Sequence, residues 1–102
     1  MLLQNNPTSG DTVTFKLVNG DEIIAEVVSS TPTGWMIRRP CVVVPSQQGI
    51  GLMQALFTGD MDCHIELGRD KVIFQTVTIP EMASHYTRTT TGIEIPSKGM
   101  IR

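Results

Sequence analysis

The chain has 102 residues, a net charge of −2 and a pI near 5.5, with 40% hydrophobic and 18% charged residues. That length sets one domain. The acidic balance argues against a dedicated nucleic-acid binder with a wholly basic surface, because phosphate contacts draw on Lys and Arg. The charged share lies below the usual quarter. With so many Val, Ile and Met, this implies that part of the surface is covered by other copies of the chain.

No stretch reaches the ~18 apolar residues of a membrane span. Met1–Pro7 has neither the basic region nor the apolar core of a signal peptide. The two cysteines, Cys41 and Cys63, fit no disulfide framework and no metal spacing. The expectation is a cytoplasmic, reduced protein without a membrane partner, its thiols packed as small apolar groups.

In chain order, residues 1–11 are polar with Pro7 and Gly10 and read as a loose arm. Val13, Phe15 and Leu17 alternate with Thr12, Thr14 and Lys16, a first strand over 12–18 with one buried face. Asn19-Gly20 follows, and both residue types tolerate the positive φ of a type I′ hairpin turn. A nearly continuous apolar run gives a second strand over 22–30. Ser29–Gly34 is a turn by composition. The third strand spans 35–44 and is interrupted by Pro40, which demands a bulge or an edge. Residues 46–51 connect flexibly to Leu52–Phe57, read as a strand because glycines bracket it closely. Cys63 to Leu67 extends, Gly68-Arg69-Asp70 turns, and residues 71–79 form the last strand. Pro80–Tyr86 reads as a short helix, with Pro suited to its first position and Glu81 to its first turn. A polar tail completes the division into 1–11, 12–79 and 80–102. Tight turns and short strands of this kind fit a small, strongly bent, five-stranded SH3-like barrel, with an OB-like barrel as the alternative.

The ordered set Val13, Phe15, Leu17, Asn19-Gly20, Ile23, Ala25 and Val27 resembles the first motif of the Sm/LSm/Hfq family. Ile65–Phe74 resembles its second motif, with Gly68-Arg69 in swapped order. Together the similarity covers 12–44 and 65–79. It implies an Sm-type barrel, a cyclic homo-oligomer closed by pairing of the last two strands between copies, and single-stranded, U-rich RNA as ligand. Carried onto this sequence, the RNA candidates are Trp35 and Met36 for stacking and Arg69 and Lys71 at the pore. Candidate interface residues are Val72, Ile73, Phe74, Leu56 and Phe57. The family's N-terminal helix has no counterpart in 1–11, and the Asn that reads a base edge is absent from Thr31–Met36.

Other chemistry is poorly served. Asp60, Asp62, Cys63 and His64 cluster, but zinc sites need a second Cys/His pair, and the only other histidine is His85. No metal and no cofactor is expected. There is no phosphate loop with Lys, no nucleophile elbow and no HExxH, and the adjacent Ser84 and His85 cannot face each other on a helix. The chain is therefore expected not to be an enzyme. The competing expectation is a non-catalytic scaffold ring that binds a protein partner. The acidic pI, the missing Asn and the Met-containing run Leu52–Phe57 favour it, since Met surfaces adapt to partners.

Overall fold

The computed structural model describes residues 11–47 and 49–91. Among these residues six strands, β1 (Thr12–Leu17), β2 (Glu22–Thr31), β3 (Gly34–Ser46), β4 (Gly49–Gln54), β5 (Ile65–Gly68) and β6 (Val72–Val77), precede one helix, α1 (Pro80–Thr91). A single 3-10 turn, Arg69–Lys71, joins β5 to β6. Every strand pair is antiparallel. The spatial order is β4-β3-β2-β1-β6, with β5 also on β3. β5 occupies the first part of β3 (Gly34–Ile37) and β4 the last (Cys41–Ser46), so the two lie end to end along one side of it. Among the described residues the sheet does not close on itself. It is bordered by β4 and β5 at one edge and by β6 at the other.

The elements differ from the sequence expectation in several places. Among the described residues there are six strands rather than five, because the stretch before Arg69 pairs with β3 as a strand of its own, β5; β4 also begins earlier than expected, since Gly49–Gly51 already pair with Val44–Ser46. β4 ends at Gln54, so Leu56 and Phe57 lie in the loop beyond it rather than in a strand. The turn after β2 is tighter than Ser29–Gly34, since pairing continues to Thr31↔Gly34. The helix runs on through residues 87–91, which were expected to belong to the polar tail. The rest of that tail, including Ile93-Glu94-Ile95, and the arm 1–10 fall outside the described residues.

The hairpin forms where Asn19-Gly20 places it, but as a three-residue loop rather than a type I′ turn. The Gly20 N–H donates to Leu17 O and the Leu17 N–H to Asp21 O. Only Gly20 has a positive φ, +96°, and the Asn19 side chain accepts from the Asp21 N–H at 2.9 Å. This is a turn whose last residue needs the left-handed region, a conformation open to Gly at little cost.

Bulges bend the sheet. Ile24 faces Cys41 and Glu26 faces Arg38, so Ala25 stands opposite the pair Arg39-Pro40. The expected interruption at Pro40 is thus a bulge in mid-strand, where a missing N–H breaks no ladder bond. Val28 is the extra residue of a second irregularity, and Ile73 of a third, between Lys16↔Phe74 and Leu17↔Val72.

Two apolar clusters form on opposite faces. Val13, Phe15, Ile23, Ala25, Val27, Trp35 and Ile37 make the main core, with Phe15 and Trp35 edge to face at 5.1 Å between centroids. Ile24, Cys41 and Tyr86 make the second, together with Val43, Leu52 and Met82. The near-continuous apolar run in β2 is explained by this arrangement: Ile23 serves one cluster and Ile24 the other. α1 covers the second face. Met82 and Tyr86, one turn apart, point to the sheet, and Ala83 N–H donates to Ile79 O as Pro80 opens the helix. The Tyr86 hydroxyl meets Arg39 O at 2.8 Å and Arg38 O at 3.2 Å. Its pKa is raised, chiefly by burial.

Gly34, at the entry to β3, is a steric requirement. A Cβ there would run into the Leu67 carbonyl oxygen and crowd the Arg69 backbone nitrogen. Gly34→Ala must push β5 off β3, and overpacking of this kind costs ~1–3 kcal/mol. Urea unfolding of the variant is expected to show a lowered midpoint with faster amide exchange in β5. An unchanged midpoint would contradict this packing.

Candidate nucleic-acid interface and assembly edges

The turn Arg69–Lys71 follows β5, and its position is fixed by the β2–β3 turn. The Arg69 N–H donates to Thr33 O at 2.7 Å, and its guanidinium donates to Thr31 O at 3.3 Å. The Thr33 hydroxyl meets Glu66 at 3.1 Å. The Arg69 guanidinium lies over the Trp35 ring, 4.6 Å from its centroid, a cation–π contact of ~0.5–1 kcal/mol at an exposed site. Thr33, Arg69 and Asp70 line an open depression of about 550 Å³. Lys71 is next in the chain, and its carbonyl accepts from the Val18 N–H at 2.9 Å.

The structure therefore brings Trp35, Arg69 and Lys71 to one corner. Trp35, however, is only 3% exposed and belongs to the main core. Its ring supports Arg69 and meets Phe15 rather than presenting an open stacking face. Met36, the next residue on β3, points to the other side of the strand and is partly exposed. Two carboxylates, Glu66 and Asp70, sit beside the two cations in the chain. Within one copy the local charge is nearly balanced.

The candidate interface residues divide into two groups at opposite edges of the sheet. On β6, Ile73 and Phe74 are exposed, Phe74 to 65%, while Val72 is half-buried against the main core. Val77 is exposed as well. Leu56 and Phe57 are exposed in the segment 55–64, Phe57 to 75%. That segment bridges the gap between β4 and β5 along β3. The Ala55 N–H donates to Pro40 O at 3.0 Å and the Arg39 N–H to Met61 O at 2.8 Å.

Arg38 and Arg39 are engaged in ion pairs. Arg38 reaches Glu26 across the β2–β3 ladder at 3.0 Å, and Arg39 reaches Asp62 at 2.7 Å. The Arg39–Asp62 pair left no mark in the sequence, since 23 residues separate its members and no local pattern links them. Asp62 is thereby drawn to a cation. Its neighbour Asp60 accepts the Asp62 N–H at 2.9 Å, a bond that lowers the Asp60 pKa. The Asp60 carboxylate in turn raises the pKa of the exposed Cys63 thiol, and burial raises that of Cys41. Neither thiol is activated, because the thiolate is the reactive form. Among the described residues no group of three Cys, His, Asp or Glu side chains is gathered as metal ligands, and no helix is long and apolar enough to cross a membrane. Compared with known proteins, the chain matches no family model and no curated protein.

Proposed function

We propose that this chain is a self-assembling β-module of the Sm-like kind. In this reading β6 of one copy pairs with β5 of the next to close a homo-oligomeric ring, and the ring binds single-stranded RNA with low specificity. The observation that carries it is the pair of bare edges: among the described residues, β5 has a partner only in β3, and β6 only in β1. The β6 edge also exposes Ile73, Phe74 and Val77. An exposed apolar edge strand is an aggregation hazard unless something covers it, and a ring of copies would cover the β6 and β5 edges of each subunit.

RNA would meet the turn Arg69–Lys71. Repetition around an axis brings several copies of these cations together, and their summed field attracts phosphate more strongly than one copy does. The test is fluorescence anisotropy of a labelled U-rich oligonucleotide at low and moderate salt. Saturable binding that weakens steeply with salt is expected, and the double variant Arg69→Glu/Lys71→Glu should abolish it while leaving the fold intact. Full affinity in that variant would overturn the assignment of the turn.

A second reading, a ring that binds a protein and not RNA, is favoured by the burial of Trp35 and by Glu66 and Asp70 beside the cations. It would be supported by an intact ring that shows no RNA binding even at low salt.

A further inference from the structure

We infer that Phe57 is a preformed knob that inserts into the groove beneath the start of α1 in the neighbouring copy. This rests on the ring reading above and names the contact that would give it specificity beyond the strand pairing.

Three observations lead to it. The first is the groove. Ile24, Val43, Ile50, Val77, Ile79 and Met82 line a mostly apolar cavity of about 200 Å³ between the sheet and the helix. An apolar cavity of ~150 Å³ admits a benzene ring, so this one is large enough for a phenyl group. Its wall on the β6 side is Thr76–Ile79, the end of the edge strand and the two residues that follow it.

The second is the presentation of Phe57. The residue is 75% exposed, and the segment that carries it is anchored at both ends. Its start is bonded to Pro40 O. Its later part is held by Arg39 through the Met61 carbonyl and the Asp62 carboxylate. Arg39 makes these bonds with a φ of +54°. That conformation is unusual for a side-chain-bearing residue and is made less favourable by the proline that follows. Such a residue is held in a strained conformation. The same residue forms the bulge opposite Ala25, so one strained position both bends the sheet and fixes the ends of the segment, and ordering an aromatic beforehand removes an entropic cost of association.

The third is direction, and it identifies a second copy as the occupant. Residues 55–64 lie on the β5 edge and lead directly into the start of β5. Every strand pair of the sheet is antiparallel. If β5 adds to a neighbour's β6 in the same sense, the start of β5 comes beside the end of β6. The segment carrying Phe57 then abuts Val77–Ile79 and the first turn of α1, which form the rim of the groove. The same strand addition that covers the bare edges places the knob at its socket.

The test replaces Phe57 in the full chain by p-benzoyl-phenylalanine, which keeps an aromatic ring at this exposed position and couples to nearby C–H bonds on irradiation. The protein is mixed with an equal amount of 15N-labelled chain, assembled, irradiated and digested. Expected are adducts joining position 57 of one copy to residues 76–82 of another, with Met82 prominent. Assembled protein whose adducts lie elsewhere, or within one chain, would overturn the knob and leave the ring standing. If labelled and unlabelled chains never associate, in native mass spectrometry of this variant and of the unmodified chain alike, the ring reading fails and the knob with it.

Discussion

Phe15→Ala is expected to cost ~3–5 kcal/mol, the range for removing a large aromatic from a packed core. Phe15 is fully buried, and its ring meets Trp35 at 5.1 Å in an edge-to-face arrangement that adds to the area it buries. It stands on β1, between β2 and β6, opposite Ile23 on one side and Gln75 on the other. The cavity left behind would therefore lie under the centre of the sheet, where the ladders on both sides resist collapse. A domain of this size is stable by only ~5–15 kcal/mol, so the variant should unfold at a far lower urea concentration and lose Trp35 fluorescence dispersion early in the transition. A change of less than ~1 kcal/mol would show that the main cluster is not the centre of stability.

The double variant Ile73→Asp/Phe74→Asp is expected to separate assembly from folding. Both side chains are exposed in the single copy, so the change should leave the circular dichroism spectrum close to that of the parent, while the urea midpoint falls only by the stability that assembly lends the folded parent. In a β6–β5 pairing the same positions become covered, and an uncompensated charge there costs several kcal/mol. A rise of at least ~100-fold in the concentration for half-assembly corresponds to about 2.8 kcal/mol at 1.4 kcal/mol per decade. Sedimentation velocity should show monomers at concentrations where the parent is a ring. Unaltered assembly in this variant would move the interface away from β6. Truncation of the strand would be a poorer test, because β6 also pairs with β1 over Phe15 and its loss would expose the main core.

The second prediction also bears on the helix and the segment 55–64. If assembly depends on strand pairing alone, replacing Phe57 should change little. If the knob contributes, charge at β6 and loss of the phenyl ring should both weaken the ring. The two sites lie at opposite edges of one chain, so their effects are expected to be non-additive only when they meet across the same interface.

The features legible in the chain before it folds are local and periodic. The alternation of Val13, Phe15 and Leu17 marked the buried face of β1, and Asn19-Gly20 marked the hairpin, since a turn there requires a residue that accepts positive φ. Pro40 marked a break in the ladder because it has no N–H to give. Pro80 and Glu81 marked the start of α1. Each of these rests on chemistry within a few residues. Tertiary structure decided the rest. Leu52–Phe57 is apolar but for Gln54, yet only its first half finds a place on β3, because the bulge at Arg39-Pro40 ends the paired stretch and turns the chain out as a loop. Trp35 could be read as a stacking surface but more readily as core or interface, and its burial in the main cluster comes only with the packed sheet. The Arg39–Asp62 pair and the groove beneath α1 join residues far apart in the chain. No periodicity encodes such contacts, because they exist only once the sheet has bent and the helix has crossed it.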